Sequence, residues 1–173
     1  MSKRQRSYIG GRLCAEACCR ALGVDSPDIA SDSLGRPQWP PGLVGSITHS
    51  EQLAVAAVAS NTKLAGLGID SETMTSNRDV LAAIQDIVLI DEEHQLVREG
   101  RDLILLFSLK EACFKALNPL CDISMDFRGI HVISLDRGEG SARVGVPSIG
   151  FEGTGLFTFD DASGHVHSYV AVP

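Results

Sequence analysis

Two carboxylates at the end of an apolar stretch are the first residues whose types and spacing could do chemistry. Asp70 and Glu72 close the segment 64–72, which reads as a β-strand. Residues two apart in a strand point to the same face, so the two side chains would project together. Adjacent carboxylates repel each other unless a cation or a proton lies between them, and Mg²⁺ is a hard cation that binds oxygen ligands. The pattern predicts a magnesium site, and the alternative is a strand that runs into a solvated acidic turn.

A second pair of charged residues lies in a segment with helical spacing. Glu111 and Lys115 are four apart, which places them on one helical face in the order that favours an ion pair. Lys110 precedes the acid and could reach the same side only through its long flexible side chain. The alternative is an ordinary surface pair on an amphipathic helix.

A third group combines small hydroxyl residues with one histidine at the end of a predicted strand. Ser46, Thr48 and His49 offer hydrogen-bond donors that suit a phosphate oxygen. The other four histidines lack metal-ligand spacing with each other or with a cysteine. The sequence also contains no Ser-His-Asp order, no P-loop motif and no Cys-x-x-Cys pair. These absences disfavour triad, P-loop and zinc chemistry.

Hydrophobic periodicity predicts the elements that must position these residues. Pro and Gly exclude regular structure from the loop 25–42, in which we expect Trp39 to pack on the core. Asp102 is the expected cap of the helix that carries Glu111. The order of elements indicates an α+β fold. Helices are expected at 8–22, 78–88, 91–99 and 102–117, and strands at 43–48, 53–60, 64–72, 129–135, 156–160 and 165–172.

Composition and charge exclude several classes of protein. The chain has 173 residues and a net charge of −7, with 44% hydrophobic and 21% charged residues, which is typical of a folded protein and not of a disordered one. No apolar run reaches the roughly 18–20 residues that a transmembrane helix needs. Five basic residues against one acid in 1–23 predict a local anion site or a solvated basic arm, and they disfavour nucleic-acid binding, which needs a broad positive face. An odd number of cysteines, five, favours reduced thiols and a cytoplasmic protein.

Taken in order along the chain, these segments resemble the motifs of the 4′-phosphopantetheinyl transferases, most closely those of the enterobactin-synthetase type. The resemblance extends from about Arg4 to about Ile133, and its last three segments are specific as an ordered set. The segments are Gly11-Arg12, Pro37-Gln38-Trp39-Pro40-Pro41-Gly42, Gly45-Ser46-Ile47-Thr48-His49-Ser50, Gly68-Ile69-Asp70-Ser71-Glu72 and Phe107-Ser108-Leu109-Lys110-Glu111-Ala112-Cys113-Phe114-Lys115-Ala116-Leu117.

The resemblance implies an enzyme that depends on Mg²⁺ or Mn²⁺. Such an enzyme transfers the phosphopantetheine arm of coenzyme A to a serine of an acyl, peptidyl or aryl carrier protein and releases 3′,5′-ADP. The metal would be held by Asp70, Glu72 and Glu111, and the backbone carbonyl of Ser71 would face it. The catalytic residues would be Glu111, which takes the serine proton directly or through a metal-bound water, and Lys115, which contacts the phosphates. The coenzyme A site would comprise Arg4, Arg12, Arg36, Thr48, His49, Asp70, Lys110 and Lys115.

The fold implied by the resemblance consists of two similar α/β halves related by a pseudo-twofold axis. We expect residues 1–62 to form the first half, with the arginines and the Thr-His motif, and residues 63–173 the second, with the metal and lysine-glutamate motifs. Related enzymes usually carry a further stretch before the arginine-containing helix, so the first half is expected to be truncated at its N-terminus. A monomer is expected, although an uncovered strand edge would permit association.

One departure from the family pattern concerns the 3′-phosphate of coenzyme A. Related loops often carry lysines before the tryptophan, whereas this loop carries Asp32, which would repel the phosphate, and Arg36, the expected substitute.

Two other functions stay open: a non-catalytic module that binds a carrier protein or coenzyme A, and another Mg²⁺-dependent enzyme that cleaves a pyrophosphate.

Overall fold

The computed structural model describes residues 2–50, 53–121 and 126–173, with only the backbone of Lys3 and Arg4. In these ranges the chain mixes helices with strands, which confirms the predicted α+β class; the pseudo-twofold relation and the division near residue 62 stay predictions. The elements are α1 (Lys3–Ala21), β1 (Leu43–His49), β2 (Ala54–Ser60), β3 (Gly66–Thr73), α2 (Arg78–Val88), α3 (Gly100–Leu117), β4 (His131–Asp136), β5 (Ser141–Val146), β6 (Phe151–Asp160) and β7 (His165–Val172). Short 3₁₀ helices lie at Asp91–Leu96, Phe127–Gly129 and Pro147–Ile149.

Two antiparallel sheets carry the candidate site. β1 and β2 form a hairpin, and a second sheet has the strand order β3-β7-β6-β5-β4. β3 is an edge strand of that sheet and pairs with β7, with Asp70 opposite Ser168 and Glu72 opposite Val166. The Oγ of Ser46 in β1 accepts a hydrogen bond from the backbone N–H of Ile69 in β3 at 3.1 Å. This bond ties the hairpin to the edge of the larger sheet.

Each sheet packs against a helix through its own apolar core. The larger core joins α3 to the five-stranded sheet and includes Leu105, Leu109, Val144 and Val166. The smaller core contains Ala15 and Cys19 of α1 together with Ile29, and Trp39 packs against it, as predicted. The loop that carries Trp39 is therefore anchored close to β1.

Local hydrogen bonds explain where the helices begin. α1 starts before the predicted residue 8, because Ser2 and Gln5 form a capping box in which each side chain bonds the other residue's backbone N–H. α2 starts as predicted, with the side chain of Asn77 accepting from two backbone N–H groups. Asp102 lies within the first turn of α3 and caps the helix from there, because its carboxylate accepts from the N–H groups of Arg98 and of the N-cap residue Glu99 at 2.7 and 3.0 Å.

Three expectations about the elements were wrong in detail. The segment expected as a helix over 91–99 forms the short 3₁₀ helix Asp91–Leu96. β5 (Ser141–Val146) was not predicted, and β6 begins at Phe151 instead of Leu156. Within the described ranges, no helix is both long and apolar enough to cross a bilayer.

Candidate active site

Two glycines in β3 allow α3 to lie unusually close to the strand. A Cβ atom on Gly68 would overlap the backbone carbonyl oxygen of Ala112, and one on Gly66 would overlap that of Ala116. Because no side chain separates the helix from this part of the strand, the charged residues beyond Gly68 lie next to those of α3. The motif Gly-x-Gly-x-Asp-x-Glu thus combines close packing with acidic side chains.

Asp70 is the centre of the site. The residue is only 2% exposed, and its Oδ1 accepts from Lys115 Nζ at 2.6 Å and from Thr48 Oγ1 at 3.0 Å. The same ammonium lies 3.4 Å from Thr48 Oγ1. The other carboxylate oxygen, Oδ2, is buried and has no hydrogen-bond partner among the described residues. β1, β3 and α3 therefore meet at one carboxylate with a free acceptor atom.

Two further carboxylates crowd the same place. Burial, reinforced by the negative charges of Asp70 and Glu111 and opposed by Lys115, raises the pKa of Glu72 to about 7. Burial also raises the pKa of Glu111, with Lys115 opposing and Asp70 reinforcing the rise. Lys115 Nζ lies 3.9 Å from Glu111 Oε2. When all three carboxyl groups are ionised, this one ammonium leaves negative charge in excess.

The donor set of the site suits a hard cation. Among the residues that the structure describes, no three or more His, Cys, Asp or Glu side chains already stand close enough together to hold a metal ion. The three carboxylates nevertheless supply the oxygen donors that Mg²⁺ prefers, and among the described residues the buried Oδ2 of Asp70 has no hydrogen-bond partner. The residues present therefore fit a divalent cation.

The two residues at the end of β1, Thr48 and His49, lie in different surroundings. Thr48 is buried and faces Asp70, whereas His49 is exposed. Ser46 is buried, and its hydroxyl oxygen accepts the N–H of Ile69. Ser71, between the two acids, faces the other side of the sheet, with its Oγ 2.9 Å from His167 Nδ1.

The predicted arginines lie in different surroundings. Arg36 pairs with Asp32 at 2.7 Å, donates to Asn118 at 3.3 Å, and lines a cavity of about 330 Å³ together with Lys115 and Trp39. Asp32 was expected to repel a phosphate. In the structure it pairs with Arg36 and keeps that side chain at the wall of the cavity.

Arg12 projects from α1 towards the loop that follows the helix. Its Nη2 donates to Ser31 Oγ at 2.7 Å, and its guanidinium lies 5.0 Å from the ring centroid of Tyr8. Its Nη1 is buried without a partner in the described part of the chain. The side chain of Arg4 lies outside the described residues.

Lys110 does not join the other predicted site residues. Its ammonium is fully buried and donates to Val88 O, Glu93 Oε2 and Phe127 O at 2.7, 2.7 and 2.9 Å. Burial lowers its pKa, and Glu93 opposes that change. Successive helical residues point about 100° apart, so Lys110 faces the protein interior while Glu111 faces Asp70.

Sequence reasoning missed several residues around the site. Glu93 gave no signal, because it stands in a run of acids typical of a solvated helix. Phe114 and Asn118, which line the cavity of Arg36, could have been found from helical periodicity, since they follow Glu111 by three and seven residues. His165 and His167 share one sheet face, with ring centroids 6.1 Å apart, and line a groove of about 790 Å³ whose lining also includes Asp70 and Ser71.

Comparisons with known proteins identify the family. Residues 1–59 match the 4′-phosphopantetheinyl transferase N-terminal domain, and residues 66–170 match the 4′-phosphopantetheinyl transferase superfamily. The chain is 32% identical to 4′-phosphopantetheinyl transferase Npt of Nocardia iowensis, over all of this chain and 70% of that protein. It is 34% identical to 4′-phosphopantetheinyl transferase Svp of Streptomyces mobaraensis, over 84% of this chain and 61% of that protein.

A more distant match is a protein of the enterobactin-synthetase type, whose motifs the sequence resembles. Enterobactin synthase component D of Salmonella typhimurium is 31% identical over 67% of this chain and 49% of that protein. The chain thus spans between about half and 70% of the length of these curated relatives. The matches to the two family domains and to Npt establish that the chain belongs to the 4′-phosphopantetheinyl transferase superfamily.

Proposed function

We propose that this protein transfers the 4′-phosphopantetheine arm of coenzyme A to a serine of a carrier protein and releases 3′,5′-ADP. The observation that carries the proposal is the meeting of Asp70, Glu72, Glu111 and Lys115 beside Thr48. Transfer requires a base for the serine hydroxyl and positive charge beside the pyrophosphate. The cluster contains groups suited to both tasks.

Asp70, Glu72 and Glu111 would hold Mg²⁺ or Mn²⁺ in this proposal. Two observations support it. Among the described residues the buried Oδ2 of Asp70 has no hydrogen-bond partner, and burial, with a smaller contribution from neighbouring carboxylates, raises the pKa of both glutamates, so a cation would stabilise their charged forms. The metal, when bound, would neutralise charge on the phosphate oxygens. The backbone carbonyl of Ser71 remains a proposed further ligand.

Glu111 is the proposed base. The serine oxygen forms a bond to the β-phosphorus of coenzyme A, the bond from that phosphorus to the 3′,5′-ADP oxygen breaks, and the serine proton passes to the Glu111 carboxylate. A pKa above that of an ordinary glutamate suits this role, since it makes the carboxylate a better proton acceptor near neutral pH. Lys115 would stabilise charge on the phosphates, as its side chain is partly exposed and already lies beside the acids.

The coenzyme A site would extend from Lys115 along the cavity that it shares with Arg36. Both cationic side chains line this space, and Trp39 and Phe114 supply apolar walls. Thr48, His49, Arg12 and Arg4 would bind the nucleotide end. The buried Nη1 of Arg12 supports its part in this, because a buried guanidinium nitrogen without a partner favours an anionic acceptor.

The partner would be an acyl, peptidyl or aryl carrier protein, and the enzyme would act as a monomer in the cytoplasm, where coenzyme A and such carriers meet. The relatives named as 4′-phosphopantetheinyl transferases and as an enterobactin synthase component support a carrier substrate. We propose no nucleic-acid partner, since the chain is acidic overall.

Mass spectrometry of an apo-carrier tests the proposal. The carrier is incubated with the protein, coenzyme A and Mg²⁺, and in parallel with EDTA or with dephospho-coenzyme A. We expect the carrier serine to gain one phosphopantetheine group only when metal is present. Cleavage of coenzyme A without modification of any carrier would indicate a pyrophosphate-cleaving enzyme, and binding without either reaction would indicate a non-catalytic module.

A further inference from the structure

The buried ammonium of Lys110 has no donor left for a substrate. A lysine ammonium has three N–H donors, and those of Lys110 are taken by Val88 O, Glu93 Oε2 and Phe127 O. The side chains of Lys110 and Glu93 are 0% and 1% exposed. A phosphate could reach this ammonium only if these bonds broke and the helix turned.

Glu93 is bonded as completely as its partner. Its Oε2 also accepts the N–H of Ile90 at 3.0 Å, and its Oε1 accepts the N–H of Val132 at 2.7 Å. The pair thus connects α3 to the end of α2, to the 3₁₀ helix Asp91–Leu96 and to the start of β4. Removal of one member would leave the other as an uncompensated buried charge, which is strongly unfavourable.

The direction of Lys110 also determines where its neighbour points. Glu111 follows Lys110 by about 100° around the helix and lies towards Lys115 and Asp70. A rotation of α3 that released Lys110 would move Glu111 away from these groups. The contacts of Lys110 therefore contribute to the rotation of α3 about its own axis, together with the apolar residues that α3 places in the larger core.

We propose that Lys110 is a positioning residue that, through its pair with Glu93, holds α3 at the rotation that presents Glu111 to Asp70. It would act on transfer without touching coenzyme A. This inference rests on the proposed function for its effect on catalysis, whereas the burial of Lys110 in the working protein can be tested independently.

Lysine labelling of the unaltered protein is the first test. The chain has four lysines, Lys3, Lys63, Lys110 and Lys115. The folded protein is treated with an amine-acetylating reagent with and without coenzyme A and Mg²⁺, and each lysine is followed by mass spectrometry. We expect exposed Lys63 to react in both conditions and Lys110 in neither. Reaction of Lys110 in the free protein with protection by coenzyme A would overturn the inference.

Kinetics of two variants form the second test, at a temperature where circular dichroism shows them folded. Lys110→Met should lower kcat at least tenfold and raise the Mg²⁺ concentration for half-maximal activity, while KM for coenzyme A stays within twofold. Glu93→Gln with Lys110→Gln removes both charges but keeps hydrogen-bonding amides, so it should recover part of kcat. It also serves as the deciding variant if Lys110→Met does not fold.

Three results separate the possibilities. A tenfold rise in KM for coenzyme A that persists in the double variant would show contact with substrate and refute a positioning role. An unchanged kcat and Mg²⁺ dependence in folded Lys110→Met would show that the pair only stabilises the fold. Absence of transfer by the unaltered protein would contradict the proposed function instead, and the labelling result would then still decide whether Lys110 is buried.

Discussion

Replacement of Glu72 by glutamine tests the electrostatic cost of the acid cluster. The pKa of Glu72 rises from 4.5 to about 7, chiefly because burial disfavours the charged form. Each pKa unit corresponds to about 1.36 kcal/mol, so the full shift would be worth at most about 3.4 kcal/mol. Because Glu72 is only partly buried, solvent screening reduces this value, and we expect about 1–1.5 kcal/mol.

The sign of the effect follows from the direction of the shift. The folded protein binds a proton at Glu72 more tightly than the unfolded chain does, so ionisation costs stability as pH rises from 4.5 through 7. Below that window the carboxyl is protonated in both states and the cost disappears. Glu72→Gln should therefore match the unaltered protein near pH 4.5 and exceed its free energy of unfolding by about 1–1.5 kcal/mol at pH 8.

Urea unfolding followed by circular dichroism, in EDTA at both pH values, measures this difference. Glu139→Gln, at an exposed position away from the cluster, is the matched control and should change nothing. Addition of Mg²⁺ at pH 8 should stabilise the unaltered protein more than Glu72→Gln. The reasoning is refuted if Glu72→Gln is less stable at pH 8 without metal, or if its effect does not depend on pH.

Three further predictions follow from the packing and charges of the site. Lys115→Met should lower kcat/KM for transfer about 100-fold, because it removes the ammonium that bonds Asp70. Lys63→Met should leave kcat/KM unchanged, and steady-state kinetics of the two variants tests the difference. Gly68→Ala should destabilise the protein by about 2 kcal/mol and lower transfer, because the added Cβ would overlap Ala112 O. Gly129→Ala should have only a small effect on stability, since its Cβ would meet its neighbours at an ordinary distance. Equal urea unfolding midpoints for the two variants would contradict this reasoning. Burial raises the pKa of Cys113 to about 12, so in the folded protein at pH 8 iodoacetamide should label Cys113 more slowly than Cys121, as mass spectrometry would show; comparable rates would contradict its burial.

The parts of the fold that the sequence could predict are those specified by local patterns. The Pro- and Gly-rich loop, the strand that leads to Asp70 and the helix 78–88 form as expected, since turn residues and hydrophobic periodicity mark them directly. β5 was missed and β6 was predicted too short. The strand pattern in this region is weakened by three glycines, Gly145, Gly153 and Gly155. The extent of β5 and β6 therefore depends on their pairing with each other, which the local sequence does not show.

The site shows the same division between local and long-range information. Spacing alone put Asp70 with Glu72 and Glu111 with Lys115 on common faces, but only the approach of α3 to Gly66 and Gly68 joins the two pairs. Lys110 stands beside Glu111 in sequence, yet its direction depends on Val88, Glu93 and Phe127, which pack on α3 from elsewhere in the chain. No local pattern reports a buried ion pair between such distant residues.

Phosphopantetheine transfer by the unaltered protein and by Glu111→Gln, measured side by side on one apo-carrier, tests the central claim most directly. Glutamine keeps the size of the side chain and removes its ability to accept the serine proton. The unaltered protein should add one phosphopantetheine group to the carrier in the presence of Mg²⁺, and Glu111→Gln should be inactive while its circular dichroism spectrum is unchanged. Near-normal transfer by Glu111→Gln, or a carrier left unmodified by the unaltered protein, would contradict the account.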